Sequence, residues 1–207
     1  MQSLLFLRLA AFAAFCLAYF FSFYLPIWVS YENGPIEIIQ SMVLLVGGVQ
    51  ALYLAIRSQS KWRYLWLAVA PIWFICLGRE LSWGAVFLAP IGFTATGPTY
   101  TSQILPYKPL VAPIVGLMLA MSLGIVVRFR LWSIGTVLAK ARHLPVIEIF
   151  LVVVAALLMT AAENHMGMSL DGYVGHAQIF EEMVELAAYL LLLAAQQRVR
   201  IASRLFR

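Results

Sequence analysis

Long apolar stretches separated by short polar segments are the dominant pattern of this 207-residue chain. A helix needs about 20 residues to cross a hydrocarbon core of about 30 Å. A segment in lipid must also satisfy its backbone hydrogen bonds internally, so each stretch is predicted to be helical. The pattern predicts an all-α polytopic membrane bundle of six transmembrane helices in a single membrane domain, residues 1–207, with spans at about 4–25, 36–56, 62–84, 110–127, 146–163 and 177–196.

Two connections between these stretches have patterns of their own. In the segment at about 129–144, Leu131, Ile134 and Leu138 recur at helical intervals among basic residues. This spacing predicts a short amphipathic helix on the cytoplasmic membrane surface. The longest connection, 85–109, contains four prolines. It is interpreted as an outer loop, and a lid over a site is the alternative.

Composition supports the membrane interpretation. The chain is 63% apolar and 11% charged, and its mean hydropathy is +0.91. Soluble domains are about 45–50% apolar and about 25% charged. A cytosolic enzyme, a disordered protein and a disulfide-rich secreted domain are therefore excluded. Cys16 and Cys76 lie inside apolar runs and are expected to be free thiols.

The net charge of +5 is informative only when it is sorted by position. In a six-span arrangement, 12 of the 14 basic residues fall on one side of the membrane. The positive-inside rule then places both termini in the cytoplasm. The basic charge is thus topological, and no nucleic-acid partner is expected. These residues are Arg8; Arg57, Lys61 and Arg63; Arg128, Arg130, Lys140 and Arg142; and Arg198, Arg200, Arg204 and Arg207.

The acidic residues are distributed in the opposite way. Eight of the nine fall on the outer half, and only Glu148 lies near the cytoplasmic end. Acidic residues contribute little to orientation, so the positive-inside rule does not require this asymmetry. The outer acids are Glu32, Glu37, Glu80, Glu163, Asp171, Glu181, Glu182 and Glu185.

Helix dipoles account for part of this asymmetry. A carboxylate in the first turn of a helix gains about 0.3–1 kcal/mol. This term does not explain Glu80 and Glu163, which lie near the C-terminal ends of their spans. Nor does it explain Glu185, which lies roughly 12 Å into the last span. Carboxylates at such depth usually face a bundle interior, a partner or a water-filled cavity.

The last span shows how these acids are arranged. Glu181, Glu182, Glu185 and Tyr189 are related by steps of three and four residues and therefore share one helix face with Gln178. Neighbouring carboxylates repel one another unless one is protonated or a cation lies between them. A weaker polar stripe, Glu37, Gln40 and Ser41, begins the second span.

These residues define a predicted outer site. Two histidines, His165 and His176, lie close in sequence to the outer acids. Carboxylates and imidazoles are common ligands of divalent cations, and a structural role is an equally good interpretation of each histidine. The predicted catalytic residues are Glu80, Glu182 and Glu37, with Arg79 as counter-ion. The predicted ligands of a divalent metal ion are Glu163, His165, His176, Glu181 and Glu185.

A short motif carries a family resemblance. Residues 79–84, Arg-Glu-Leu-Ser-Trp-Gly, resemble the acidic-Ser-Trp-Gly signature of a group of uncharacterised bacterial multi-pass membrane proteins. That group often continues with Gln-Arg, where this chain has Ala85 and Val86. The resemblance implies a location in the bacterial inner membrane and no established activity. A weaker analogy links the outer acids and histidines to alkaline-ceramidase-like membrane hydrolases, whose paired-histidine motif and seventh span are absent here.

Three functions are compatible with such a site. The first is a membrane-embedded, metal-dependent, hydrolase-like enzyme that faces the periplasm and acts on a lipid or lipid-linked substrate. The second is an accessory or assembly protein whose polar cluster only fixes helix packing. The third is a small proton- or cation-coupled transporter, for which a homodimer would restore the symmetry that the sequence lacks. The sequence names neither the substrate nor the metal.

Overall fold

The computed structural model describes residues 2–94 and 97–205 and is 77% helical, which confirms the all-α class. Helices occupy all six of the apolar stretches and the amphipathic segment. Their bounds are α1 Gln2–Tyr24, α2 Pro35–Arg57, α3 Ser60–Glu80, α4 Lys108–Arg128, α5 Trp132–Lys140, α6 Val146–Ala162 and α7 Ala177–Leu205.

The last helix, α7, is the centre of the bundle. It packs against α1, α6 and α2, whereas α3 packs against α2 and α4 packs against α3. Ile179, Val184 and Ala187 of α7 are fully buried, as expected for a helix surrounded by others. Glu185, Tyr189 and Gln196 on its polar face are buried as well, so this face is turned toward protein.

The α3 helix ends at Glu80 because the backbone changes hand immediately afterwards. Ser82, Trp83 and Gly84 have φ values of 43°, 58° and 100°, inside a 3₁₀ segment, Ser82–Phe87. Residues with side chains seldom adopt this left-handed conformation. The Arg-Glu-Leu-Ser-Trp-Gly motif at residues 79–84 therefore marks a sharp turn at the C-terminal end of α3.

The long connection after this turn is partly ordered by hydrogen bonds. A short antiparallel hairpin pairs Gly92–Thr94 with Gly97–Thr99. The Tyr100 amide donates to Glu32 Oε2 at 2.7 Å, and the Tyr107 hydroxyl donates to the Trp83 carbonyl at 2.8 Å. These contacts fasten the connection to the segment between α1 and α2 and to the turn after α3.

The amphipathic helix α5 turns its apolar face toward the bundle. Leu131, Ile134 and Leu138 are buried against a cluster that includes Trp62 at the start of α3 and Ala202 near the end of α7. The helix therefore covers the end of the bundle at which α3 begins and α7 ends.

The same end of the bundle is also held by a buried carboxylate. Glu148, at the start of α6, is 1% exposed and pairs with Arg8 of α1. Arg198 of α7 lies 3.4 Å from its second oxygen and donates to the Arg142 carbonyl at 3.1 Å. One carboxylate thus joins the three helices α1, α6 and α7.

A glycine permits the close packing of α2 on α3. A Cβ atom built on Gly47 would lie 2.6 Å from the ring of Trp73, closer than side chains approach one another. The Trp73 Nε1 group donates to Gln196 Oε1 of α7 at 2.7 Å, so the ring is not free to move away. Gly47 is therefore the residue that lets the ring lie against the α2 backbone.

Substitution of Gly47 by valine is expected to lower the free energy of unfolding by about 1–3 kcal/mol, because the added side chain overpacks the interface with Trp73. Sodium dodecyl sulfate titration in mixed micelles measures this change. Gly116→Val is the matched control, since a Cβ atom at Gly116 meets nothing within 4 Å. Equal shifts for the two variants would contradict the packing argument.

Three helical segments among the described residues are long and apolar enough to cross a membrane: Gln2–Tyr24, Ile27–Arg57 and Lys108–Arg128. The second of these combines α2 with the 3₁₀ turn Ile27–Ser30 that precedes it. Helix α6 is equally apolar in character but has 17 residues. These segments indicate a membrane protein.

Candidate functional site

Three glutamates meet where the C-terminal end of α3 lies near α7. Glu80 of α3 and Glu182 and Glu185 of α7 each place a carboxylate oxygen within 4.8 Å of the other two. Glu80 and Glu185 are buried, at 7% and 6% exposure, and Glu182 is half-buried. We call these residues the three-glutamate cluster. Ionised carboxylates at this spacing repel one another strongly in a water-poor environment.

Arg79 partly compensates this charge. Its guanidinium pairs with Glu185, and the arginine side chain as a whole is 64% exposed. One guanidinium against three ionised carboxylates leaves two formal negative charges uncompensated. The cluster therefore favours uptake of protons or of a divalent cation.

Tyr189 lies one turn below Glu185 and bridges two of the acids. Its hydroxyl lies 2.6 Å from Glu185 Oε1 and 3.0 Å from Glu80 Oε2. A phenol has one proton and can donate to only one of these oxygens at a time. The second contact is favourable only when that carboxyl itself carries a proton.

Gln40 of α2 completes the cluster from the opposite side. Its side chain is fully buried, and Nε2 donates to the Glu182 carbonyl at 2.8 Å and to Glu182 Oε2 at 2.9 Å. A backbone carbonyl only accepts, so the amide cannot be flipped without losing that bond. Gln40 Oε1 then has no hydrogen-bond partner among the described residues. An unpaired buried acceptor is costly, and here it lies beside Glu182.

Glu37 lies one turn before Gln40 and accepts from the Asn33 amide. It lines a cleft of about 390 Å³ between α2 and α3 whose other walls include Ser41, Leu77 and Phe87. Glu37 is within electrostatic range of both Glu80 and Glu185 without belonging to the three-glutamate cluster.

The residues predicted as metal ligands fall into separate places. Glu185 belongs to the three-glutamate cluster. His165 Nδ1 lies 2.9 Å from Glu163 Oε2, and both side chains are exposed. Glu181 lies within electrostatic range of Glu163 and is not a member of the three-glutamate cluster. His176 is exposed, and its amide donates to the Ser22 carbonyl of α1 at 2.7 Å. Neither histidine is a member of the three-glutamate cluster.

Two polar networks were not part of the predicted site. The first is Glu148 with its two arginines. The second is buried between α2, α3 and α7, where Gln196 accepts from Trp73 and donates to Gln50 Oε1 and the Gly47 carbonyl, each at 3.0 Å. Glutamines inside apolar runs are the sequence signal for the second network.

No family model matches the chain, and neither the curated proteins nor the solved structures contain a significant match. The class of protein is therefore defined by its apolar helices and by the acidic cluster alone.

Proposed function

We propose that the chain is a six-span protein of the bacterial inner membrane with both termini in the cytoplasm. The distribution of basic residues supports this orientation. The 17 residues of α6 fall at the lower end of the about 17–25 that a spanning helix needs. Three of the charged residues that lower the hydropathy of α3 and α7 are the members of the three-glutamate cluster, which face one another, so spanning would not expose them to lipid.

We further propose that this protein is a metal-dependent, hydrolase-like enzyme acting on a lipid or lipid-linked substrate at the periplasmic side. The observation that carries the proposal is the convergence of Glu80, Glu182 and Glu185 within 4.8 Å with a single guanidinium as counter-charge. Carboxylate and amide oxygens are the ligands that hard divalent cations prefer. Gln40 Oε1, which has no partner among the described residues, is suited to serve as a further oxygen ligand.

In this proposal a bound cation supplies the polarisation that makes water nucleophilic. Glu37 is assigned as the base, because it lies beside the cluster on a cleft of about 390 Å³. It takes one proton from water as the water oxygen bonds to the substrate's carbonyl carbon or phosphorus. The bond from that atom to the leaving oxygen breaks, and the same proton passes from Glu37 to the leaving oxygen.

The second candidate function is that of an accessory protein whose cluster only fixes helix packing. The bonds from Arg79 and Tyr189 favour it, since together they partner two of the three glutamates. A cation-coupled transporter remains a third candidate, because a site that binds protons or a cation serves transport as well. Both alternatives share the membrane architecture and differ from the enzyme in their chemistry.

Glu182→Gln is expected to weaken the binding of a divalent cation by at least about tenfold, since losing even an outer partner of a metal ligand costs about 10–100-fold. Purified protein in micelles is titrated separately with Mg²⁺, Mn²⁺ and Zn²⁺ by calorimetry, and bound metal is counted by mass spectrometry. Asp171→Asn, at an exposed outer acid, is the control and should bind as the wild type does.

Three results would separate the candidate functions. Wild-type protein that binds none of the three cations stoichiometrically would contradict the metal-dependent enzyme and support the accessory role. Cation binding lost in Glu182→Gln but kept in Asp171→Asn supports the proposed site. Uptake of a solute into proteoliposomes that responds to a proton or cation gradient would favour the transporter instead.

A further inference from the structure

A second cavity lies on the other side of α3. It is a groove of about 450 Å³ lined by Val69, Ile72 and Cys76 of α3, Gly135 of α5, and Leu192 and Gln196 of α7. The groove exists because α6 packs on α7 while α3 packs on α2 and α4, which leaves a gap between α3 and α6. Its walls are almost entirely apolar.

The outer end of this groove adjoins the three-glutamate cluster. Along α3, positions 65, 69, 72, 76 and 79 follow one another by steps of four and three and so form one stripe of the helix. The stripe is apolar up to Cys76 and ends at Arg79. Cys76 is the last residue of α3 that lines the groove, and Arg79 follows it one turn later, so the groove ends near the charged groups.

The inner end of the groove is closed by α5. Ile134 and Leu138 line it and are themselves buried against α3 and α7. A Cβ atom built on Gly135 meets nothing within 4 Å, so this position faces open space. From position 65 to position 79 the helix rises about 21 Å. The groove thus has an apolar body that α5 closes at one end and that comes, at the other end, within one helical turn of the exposed side chain of Arg79.

We infer that this groove binds one long hydrocarbon chain of an anionic lipid whose head group lies at Arg79. The charge that selects an anion is Arg79, which lies one turn beyond the end of the groove, is 64% exposed and pairs with Glu185 through one of its nitrogens. A guanidinium has five N–H donors in a fork and can bind a phosphate or carboxylate oxyanion through those that face solvent. The inference names the substrate class of the proposed enzyme and rests on that proposal for its catalytic meaning. Lipid binding itself requires neither metal nor turnover.

Photo-crosslinking in phosphatidylcholine nanodiscs tests this inference. Three probes carry the same diazirine-bearing chain: phosphatidic acid, a free fatty acid and phosphatidylcholine. We expect at least one anionic probe to label the full-length protein several-fold more than phosphatidylcholine does. Peptide mapping should place the label within residues 65–76 or 131–138. Labelling by phosphatidic acid alone identifies a phosphate head group, whereas labelling by the fatty acid alone identifies a carboxylate.

Variants that fill the groove provide the structural control. Gly135→Trp, and Ile72→Trp from the facing wall, should each reduce labelling about tenfold. Gly124→Trp on α4 should leave it unchanged, since Gly124 also meets nothing within 4 Å and does not line the groove. Arg79→Gln should keep the labelled peptides but remove the preference for anionic probes. Folding is checked for each variant by its elution as a single species.

Equal labelling by all three probes, or unchanged labelling in folded Gly135→Trp and Ile72→Trp, would overturn the inference. Cation binding measured on the same preparations keeps the two proposals apart. If the protein binds no cation but is labelled by the lipid probes as expected, the lipid groove is supported and the metal site is contradicted. If the protein binds a cation but is labelled no more by the anionic probes than by phosphatidylcholine, the metal site is supported and the lipid groove is contradicted.

Discussion

Substitution of Glu148 by glutamine is expected to lower the free energy of unfolding by about 3–5 kcal/mol, the cost of removing one partner from a buried ion pair. Glu148 is 1% exposed and contacts Arg8 and Arg198, whose side chains are 37% and 20% exposed. Glutamine keeps the shape and removes the charge, so the two arginines are left facing each other without an anion. Unfolding by sodium dodecyl sulfate in mixed micelles measures the change.

Asp171→Asn is the matched control for this charge removal. Its carboxylate is exposed and its side-chain bond to Asn164 Nδ2 is 3.3 Å long, so the stability change should stay within about 0.5 kcal/mol. A Glu148→Gln variant as stable as Asp171→Asn would show that the ion pairs of Glu148 do not hold α1, α6 and α7 together. Arg8→Gln should cost less than Glu148→Gln because it removes one of two cations.

Arg79→Gln is expected to destabilise the metal-free protein by about 3 kcal/mol, and by more than Glu185→Gln does. The two losses of stability should differ because the Glu185 side chain is 8% exposed and the Arg79 side chain is 64% exposed. Removing the arginine leaves a buried carboxylate beside two others. Removing the carboxylate leaves a guanidinium that can turn to water. The double variant should therefore be more stable than the sum of the two changes implies.

The same set of variants tests the cation site by linkage. If the three-glutamate cluster binds a divalent cation, the cation found by titration should stabilise Arg79→Gln more than it stabilises wild type. The variant has one more uncompensated negative charge within the site. A cation that stabilises neither protein would count against metal binding. Equal losses in Arg79→Gln and Glu185→Gln would contradict the burial argument.

Much of the fold could be predicted because a chain segment in lipid must satisfy its own backbone hydrogen bonds. Apolar runs of about 20 residues must be helical in a hydrocarbon core, and helices occupy all six predicted stretches. The end of α3 was less predictable. The apolar pattern continues to about position 84, but the helix ends at Glu80. Three consecutive residues, Ser82, Trp83 and Gly84, then adopt positive φ. A hydropathy pattern does not indicate which residues adopt a left-handed backbone conformation, so it does not predict this end of the helix.

The candidate site could be predicted only along single helices. The spacing of Glu182, Glu185 and Tyr189 on one face follows from 3.6 residues per turn. That Glu80 joins them, whereas His165 and His176 do not, depends on how α3 and the 163–176 segment pack around α7. Gln40 was visible as part of a polar stripe, but its unpaired oxygen beside Glu182 is a property of two helices.

The sequence by itself determined the class of protein, the helices and the separation of basic from acidic residues, because each depends on local composition and on one helical period. The tertiary structure decided which acids meet, which arginines pair with them and where the bundle leaves space. These outcomes depend on helix packing, which is set by shape, as at Gly47 and Trp73, and not by hydropathy. Only the folded chain therefore distinguishes Glu148, enclosed by two arginines, from the three glutamates that share one.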